Sequence, residues 1–256
     1  MRIIRVEHGG TSYYGILEDG LVFRLHQKPG HMEPIPLSEA KVLPLVTPSK
    51  VVCVGLNYKA HAEELGYPLP NMPSFFLKPP SSIIGNGEPI VLPSGMGRIE
   101  HEAELAMVVG KVCRNLTPEE AEESLFGFTC ANDVTAREVQ KVDPLIGHCK
   151  SYDTFCPIGP WIETDLEDIN DLSIRCLVNG EVRQSANTGD MIFRPLDLLC
   201  FLSRVMTLMP GDVILTGTPP GISPILADDV VQVSIEGIGT LSNPVEGPGP
   251  EEKILQ

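Results

Sequence analysis

The chain has 256 residues, and its 19 Lys and Arg against 34 Asp and Glu give a formal net charge of −15. That charge argues against nucleic acid and anionic membranes as partners, because their phosphate groups would repel the protein. A hydrophobic share of 42% with 21% charged residues is ordinary for a globular protein and excludes a disordered acidic tail. The 24 Gly and 24 Pro, almost one residue in five, exceed the usual sum of about 12% and predict frequent turns.

Targeting and cysteine patterns point to a cytoplasmic protein. The N-terminus has no apolar run of signal-peptide length, and no window approaches the roughly 18 apolar residues of a membrane span. The seven cysteines are odd in number and include no C-x-x-C pair, so neither a disulfide framework nor a zinc ribbon is indicated. We expect most of them to be buried thiols.

Residues 1–48 carry alternating apolar and polar residues and predict a small N-terminal β subdomain of antiparallel strands. Three such runs are present, at 2–6, 13–17 and 21–25. The dipeptide Asp19–Gly20 between the last two is a strong signal for a two-residue hairpin turn.

The main domain is expected to span 49–246. It opens with Val51–Gly55, an apolar run typical of a buried strand. Further strands are predicted at 106–109, 174–178, 213–215 and 230–235, and helices at 58–65, 118–125 and 195–205. Because strands and helices do not alternate regularly, the sequence argues against a doubly wound parallel sheet and predicts a mixed α/β, mainly β, barrel or roll. The tail 247–256 is expected to be poorly ordered.

The strongest chemical signal is the run Glu100–Glu104, which reads Glu-His-Glu-Ala-Glu. On a strand, side chains two residues apart share a face, so Glu102 and Glu104 are expected to project together. Adjacent carboxylates repel each other unless a positive charge lies between them, and a hard divalent cation such as Mg²⁺, Mn²⁺ or Ca²⁺ supplies it. An isolated motif of this kind also fits a solvated strand edge.

A second polar segment follows the apolar run that ends at Asn132. Asp133 is a candidate third oxygen ligand, and Arg137, four residues later, is a candidate for binding a substrate carboxylate through a bidentate pair. The alternative is a turn or helix cap at Asp133 and a surface charge at Arg137. The combination with the paired glutamates favours the metal site.

Three more segments carry groups of catalytic types. In the predicted helix at 58–65, His61 and Glu64 lie three residues apart, so the carboxylate can orient the imidazole as a general base on a lid. Lys150 can stabilise a developing enolate or oxyanion. The T-G-T turn that ends at Thr218 offers small side chains and backbone N–H groups to an anionic oxygen. The segment with His61 and Glu64 also fits a solvated helix, and Lys150 also fits a surface lysine.

Together these motifs resemble the fumarylacetoacetate hydrolase family over residues 50–245. The resembling segments read VVCVGLNYKAHAEELG, FFLKPPSSIIGNGEPI, HEAELAMVVGK, ANDVTAREVQ, KSYDTFCPIGPW, VNGEVRQ, GDVILTGTPPGI and IGTLSNPV. The resemblance implies a β-sandwich roll, a Mg²⁺ or Mn²⁺ ion held by Glu102, Glu104 and Asp133, and a small substrate whose 2-oxo-acid group chelates the ion. The N-terminal subdomain is similar to that of bacterial members that are commonly homodimers.

The resemblance also implies roles for individual side chains. His61 and Glu64 match a dyad that activates water on a lid that closes over substrate, and Lys150 matches a lysine that stabilises the oxyanion or enolate. The residues that match the substrate site of the family are Arg137, Gln140, Lys78 and Thr218, of which the last meets the substrate carboxylate.

The motifs are compatible with more than one reaction. The resemblance implies hydrolysis of acylpyruvates, decarboxylation of oxaloacetate-type diacids, or isomerisation of 2-hydroxyhepta-2,4-diene-1,7-dioate or 5-carboxymethyl-2-hydroxymuconate, in clean-up of oxo acids or catabolism of aromatic compounds. All three begin from an enolate stabilised by charge. The His61–Glu64 pair favours added water and hence carbon–carbon hydrolysis, whereas the segment Cys156–Gly159 is similar to isomerases and decarboxylases.

Two other classes of protein fit the sequence less well than an enzyme. A non-catalytic protein that binds metal and oxo acids would use the same roll, but it has no need of a base on a lid. A Rossmann-type dehydrogenase is not indicated, because no G-x-G-x-x-G motif follows a strand.

Overall fold

Strands dominate the computed structural model, which describes residues 1–25, 33–143 and 145–247. The strands are β1 (Arg2–His8), β2 (Thr11–Glu18), β3 (Leu21–Arg24), β4 (Ile35–Pro36), β5 (Lys41–Val42), β6 (Val51–Gly55), β7 (Ser74–Lys78), β8 (Ile83–Ile84), β9 (Ile90–Val91), β10 (Ile99–Glu100), β11 (Ala103–Val109), β12 (Leu125–Asn132), β13 (Thr135–Ala136), β14 (Cys156–Glu163), β15 (Ser173–Val178), β16 (Glu181–Asn187), β17 (Val213–Leu215), β18 (Val230–Ile235) and β19 (Gly239–Glu246). The helices are α1 (Lys59–Leu65), α2 (Pro118–Glu122), α3 (Arg137–Val142), α4 (Ile146–Lys150) and α5 (Pro195–Val205), with short 3-10 turns at Leu37–Glu39, Pro80–Ser82 and Thr188–Asp190. The prediction of a mixed, mainly β fold is confirmed.

One large sheet runs through the described residues in the order β4-β3-β2-β1-β14-β12-β11-β17-β6-β7, and a five-stranded sheet has the order β16-β15-β18-β19-β9. Most neighbouring strands are antiparallel, but β17 pairs parallel with β6. The central strands of the large sheet are buried on both faces, so they read as continuous apolar runs.

Alternate residues of the central strands enter two different apolar clusters. In β11, Leu105 and Met107 belong to the cluster that also contains residues of the five-stranded sheet and α5, whereas Ala106 and Val108 belong to a cluster shared with β1 and β14. This two-sided burial makes β11 one of the most enclosed elements described, and the carboxylates at its start are held on a rigid support.

The three N-terminal strands form the antiparallel unit that the alternation predicts. Asp19 and Gly20, with φ angles of 49° and 76°, make the turn between β2 and β3. The first of these strands, β1, pairs with β14 through Arg2 opposite Glu163, so the unit extends the large sheet at its edge. Within the described ranges, no helix has the length and apolar character that a membrane crossing requires.

Several element boundaries differ from those predicted. The helix predicted over 118–125 ends at Glu122, because Leu125 already pairs with Val109 as the first residue of β12. The helix predicted from Tyr58 begins at Lys59, since Tyr58 is extended and forms a bridge to Met191. Two short helices, α3 and α4, were not predicted. Residues 248–256 of the expected tail lie outside the described residues.

Candidate active site

Three buried carboxylates meet where β11 begins and β12 ends. The register places Ala103 opposite Asn132 in this antiparallel pair, so Glu102, just before β11, lies beside Asp133, just after β12. The backbone N–H of Asp133 donates to the carbonyl of Glu102 at 2.8 Å. One carboxylate oxygen from each of Glu102, Glu104 and Asp133 lies within 4.8 Å of the others. The expected common direction of the two glutamates is therefore present.

Three basic side chains contact two of these carboxylates. Nζ of Lys150, from the last turn of α4, lies 2.7 Å from Oε2 of Glu102 and 2.7 Å from Oδ2 of Asp133. Lys78 from β7 contacts Oδ1 of Asp133, and Arg137 at the start of α3 contacts Oε1 of Glu102. The acidic cluster is thus partly neutralised by the chain itself.

The charges in the cluster act differently on its two glutamates. Burial raises the pKa of Glu102, but Lys150 and Arg137 outweigh it and hold that pKa well below its usual range. Burial, together with the charges of Asp133 and Glu102, holds the pKa of Glu104 well above its usual range. Glu104 accepts a hydrogen bond from the backbone N–H of Gly217 at 2.5 Å. It is therefore the carboxylate whose charge the chain compensates least.

A divalent cation fits this donor set. Mg²⁺ and Mn²⁺ prefer carboxylate oxygens, and the three carboxylates are buried, close together and attached to paired strands. The two positive charges of such an ion would also offset the burial and the repulsion that raise the pKa of Glu104. Glu102, Glu104 and Asp133 are the residues that would hold the ion.

Arg137 is fixed on three sides. Its Nε donates to Oε2 of Glu100 at 2.5 Å, its Nη1 donates to Oε1 of Gln140 at 2.8 Å, and its Nη2 contacts Glu102. Glu100 is 1% exposed and also contacts Arg98. The first glutamate of the Glu-His-Glu-Ala-Glu run thus supports the arginine, a role that the sequence did not reveal.

The predicted dyad is formed in α1. Nδ1 of His61 lies 2.8 Å from Oε2 of Glu64, one turn away, and Oε1 of Glu64 accepts from the backbone N–H of Gly221 at 3.0 Å. Because Nδ1 faces a carboxylate, it carries the proton and leaves Nε2 as the basic nitrogen. Gly66, with φ of 70°, ends the helix in the left-handed conformation that glycine adopts without strain.

Thr218 belongs to a buried hydrogen-bond chain that directs its hydroxyl. Nε2 of Gln184 donates to the carbonyl of Pro219 at 2.7 Å and to Oγ1 of Thr218 at 2.8 Å, and Thr218 in turn donates to the carbonyl of Ala103 at 2.9 Å. The hydroxyl hydrogen of Thr218 is therefore committed to the backbone. A carboxylate at this turn would have to meet a backbone N–H group instead.

Gln184 also determines which ring nitrogen of the neighbouring His101 carries the proton. Its Oε1 accepts from the backbone N–H of Ala103 at 3.0 Å and faces Nδ1 of His101 at 3.0 Å. Since the amide nitrogen is used elsewhere, Nδ1 of His101 must be the donor, and Nε2 accepts from Ser223 at 2.8 Å. Burial lowers the pKa of His101, which agrees with a neutral ring.

Neither His101 nor Gln184 was predicted. His101 lies in the segment HEAEL and Gln184 in the segment VNGEVRQ, both of which resemble the family. Their position in these segments is the signal by which the sequence could have indicated a role for them.

Most predicted site residues line one cavity of about 310 Å³. Among the lining residues are His61, Glu102, Glu104, Asp133, Arg137, Gln140, Lys150 and Thr218. The two other predicted residues, Glu64 and Lys78, do not line this cavity. Glu64 holds the histidine, and Lys78 lies behind Asp133, where Nζ also donates to the carbonyl of Val134 at 3.2 Å.

Residues 50–246 match the model of the fumarylacetoacetate hydrolase C-terminal domain, and residues 1–44 match the Rv2993c-like N-terminal domain. The chain belongs to the fumarylacetoacetate hydrolase family. Proteins similar to this chain are named for different reactions.

Three similar proteins illustrate this range. Human mitochondrial oxaloacetate tautomerase FAHD2A is 43% identical over 82% of this chain and 71% of its own length. The crystal structure of 5-carboxymethyl-2-hydroxymuconate delta-isomerase from Mycobacterium smegmatis is 42% identical, with a TM-score of 0.90 over 98% of this chain and all of the other. Maleylpyruvate hydrolase from Sphingobium sp. SYK-6, in complex with manganese(II) and pyruvate, is 30% identical, with a TM-score of 0.82 over 97% of this chain and all of the other.

Proposed function

We propose that this protein is a divalent-metal-dependent enzyme that acts on small 2-oxo acids, and that its main reaction is hydrolysis of the carbon–carbon bond of acylpyruvate-type substrates. One observation carries the proposal: His61, which Glu64 orients, lines the same cavity as the three carboxylates and Lys150. Mg²⁺ or Mn²⁺ is the proposed ion, with Ca²⁺ as an alternative. When bound, such an ion would withdraw electrons from the oxo and carboxylate oxygens of the substrate and stabilise its enolate.

His61 supplies the base. Its free Nε2 takes a proton from water, Glu64 stabilises the imidazolium that results, and the water oxygen forms a bond to the acyl carbonyl carbon. The bond from that carbon to the methylene carbon then breaks, and its electron pair leaves as the enolate of pyruvate. The proton held by His61 returns to the methylene carbon, so that one water is consumed and a carboxylic acid and pyruvate are released.

Lys150 and Arg137 supply positive charge. Burial lowers the pKa of Lys150, but Asp133 and Glu102 outweigh this and raise the pKa, so the ammonium stays charged at neutral pH. It can stabilise negative charge that develops on the substrate oxygens. Arg137 retains donors on both Nη atoms beyond the contacts described, and together with a backbone N–H at Thr218 it would anchor a substrate carboxylate.

A second candidate is tautomerisation of oxaloacetate, which the similarity to the human tautomerase favours. This reaction needs no added water. A base with one exchangeable proton beside a stabilised enolate is sufficient, and His61 meets that requirement. Decarboxylation of oxaloacetate and isomerisation of the longer dienedioates remain alternatives that the same assay compares.

The test is a turnover panel on the metal-free protein before and after addition of Mg²⁺ or Mn²⁺. Acetylpyruvate, enol oxaloacetate and a hydroxymuconate-type diacid are assayed side by side. We expect activity only with metal, and His61→Ala to lower acetylpyruvate cleavage by about 10²–10⁴-fold. His8→Ala, a histidine of β1 outside the cavity, is the matched control.

The turnover panel distinguishes a metal-centred enzyme from the alternatives. Full activity of the metal-free protein on every substrate would exclude a metal-centred mechanism. No turnover of any substrate, with oxalate still bound in the presence of metal, would instead support a non-catalytic binding protein. The predicted homodimer and cytoplasmic location stay predictions, and analytical ultracentrifugation tests the former.

A further inference from the structure

The charged side chains that line the cavity lie together, and the part that they form is called the charged end. Its charged lining residues outside the dyad are Glu102, Glu104, Asp133, Arg137 and Lys150. Lys150 bridges two of the carboxylates, Arg137 contacts one of the same pair, and Glu104 lies within ligand distance of both. These groups therefore form a single cluster and cannot be distributed along the cavity.

The remainder of the lining is mostly apolar. It includes Leu65 at the end of α1, Tyr67 just after it, Phe76 of β7 and Ile146 at the start of α4. The Phe76 ring lies 5.2 Å from Nζ of Lys150, so it marks the border between the charged cluster and the apolar part. Leu65, Tyr67 and Ile146 are 41%, 61% and 41% exposed, which indicates apolar surface that a ligand can cover.

The charge balance of the cluster also limits the substrate. Four carboxylates, those of Glu100, Glu102, Glu104 and Asp133, face four cations, those of Lys78, Lys150, Arg137 and Arg98, so their formal charges cancel. A divalent ion would leave two positive charges there, which suffices for one substrate carboxylate or for two that lie close together. Among the described residues, the lysine and arginine side chains that line the cavity are Lys150 and Arg137, and both already pair with the carboxylate cluster, so a second carboxylate farther along the substrate would have no cation of its own.

We propose that the cavity selects 2-oxo acids whose charged groups lie within the first four carbons and whose remainder is an uncharged apolar tail. The inference rests on the proposed function, because the charged end is taken to hold the 2-oxo acid. It separates this protein from enzymes of the seven-carbon 2-hydroxyhepta-2,4-diene-1,7-dioate, whose far carboxylate would enter the apolar part. It admits acylpyruvates with alkyl chains and also oxaloacetate, whose two carboxylates both fit the charged end.

The test measures binding, so it does not depend on which reaction the enzyme performs. With Mn²⁺ present, isothermal titration calorimetry compares 2-oxobutanoate, 2-oxohexanoate and 2-oxooctanoate with the eight-carbon diacid 2-oxooctanedioate. We expect the affinity of the monoacids to rise about twofold to fourfold per added methylene, because each methylene leaves water for partly exposed apolar surface. We expect the diacid to bind at least about tenfold more weakly than 2-oxooctanoate.

Charge substitutions on the chain give the reciprocal test. Leu65→Arg places a cation beside the far end of the tail and should reverse the preference in favour of the diacid. Leu69→Arg adds the same charge to the same segment at a residue that is 51% exposed and does not line the cavity, so the preference should be unchanged. Ile146→Ala should reduce the gain per methylene without introducing charge.

The outcomes separate this inference from the proposed function. If 2-oxobutanoate binds but chain length and the terminal carboxylate have no effect, the tail selectivity is wrong and the 2-oxo-acid site stands. If Leu69→Arg changes the preference as much as Leu65→Arg, the effect comes from net charge and the selectivity is likewise wrong. If no 2-oxo acid binds in the presence of Mn²⁺, the proposed function fails, and this inference fails with it.

Discussion

Lys150 forms an ion pair with Glu102, with 2.7 Å between Nζ and Oε2, inside the group of carboxylates that would hold a metal ion. The same ammonium lies 2.7 Å from Oδ2 of Asp133. A fixed positive charge beside metal ligands weakens cation binding while it favours an anionic transition state, so the two effects of this lysine should have opposite signs.

Lys150→Met should therefore separate binding from turnover. We expect the variant to bind Mn²⁺ about tenfold more tightly, because the competing charge is gone, and its kcat to fall by about 10² or more, because the developing enolate loses its cation. Calorimetry with Mn²⁺ and steady-state kinetics measure the two effects. Lys111→Met, at an exposed lysine paired with Glu123, is the control and should change neither quantity. Unchanged turnover in Lys150→Met would remove this lysine from the mechanism.

A second prediction concerns Asp212, a buried carboxylate that joins the turn before β17 to the segment before β6. It accepts from the backbone and hydroxyl of Ser49 at 2.9 and 2.7 Å and from the backbone of Met209 at 2.8 Å, and Lys50 contacts it at 2.5 Å. Asp212→Asn replaces one acceptor oxygen by a donor that faces other donors. We expect a loss of about 2–4 kcal/mol in the free energy of unfolding, measured in urea.

The same residue predicts a pH dependence. Burial raises the pKa of Asp212, but the hydrogen bonds from Lys50, Met209 and Ser49 outweigh it and lower the pKa below its ordinary value of 3.8. A lowered pKa in the folded state stabilises the protein above the unfolded-state pKa, and that stabilisation is lost as the pH falls through the folded value. The stability difference between the wild type and Asp212→Asn should be constant above about pH 5 and shrink below pH 4. Asp153→Asn, at an exposed site, should show no such difference.

A third prediction concerns Gln184, which is fully buried in β16. Gln184→Leu leaves the backbone N–H of Ala103, the carbonyl of Pro219 and Nδ1 of His101 without their partner. Each unpaired buried group costs about 1–3 kcal/mol, so we expect unfolding to become easier by about 3 kcal/mol or more. Gln232→Leu, at a half-buried glutamine of β18, is the comparison. Equal effects of the two substitutions would show that the hydrogen bonds of Gln184 add nothing to stability.

A fourth prediction concerns the thiols. All seven cysteines are buried and free, and burial raises the pKa of Cys130, Cys156 and Cys176 to about 12. Because the thiolate is the reactive form, an aromatic disulfide reagent at pH 8 should modify none of the seven rapidly in the native protein and all of them in urea. Rapid modification of a native thiol would mean that its segment opens to solvent. Loss of activity on such modification would place that cysteine near the cavity.

Much of the local structure could be predicted because it depends on neighbours in sequence. The bounds of Val51–Gly55, Val213–Leu215 and Val230–Ile235, and of the helix Pro195–Val205, agree with the predicted ones. The period of the apolar residues indicates which face of an element is buried, and it can be recognised within a single segment of five to eleven residues. The failures fell where a long-range pair overrode the local preference, as at Leu125, which joins β12 by pairing with Val109.

The sequence by itself determined the residue types that the chemistry requires, the shared direction of Glu102 and Glu104, and the three-residue spacing of His61 and Glu64. The sequence could not determine which of these residues lie close together, because distances across the fold depend on strand register and helix placement. The antiparallel register of β11 and β12 brings Asp133 to the glutamates. The short helix Ile146–Lys150 brings Lys150 to the same cluster, while Lys78 lies behind it. Only the tertiary structure gathered the charged groups into one cluster and lined most of the remaining cavity with apolar side chains.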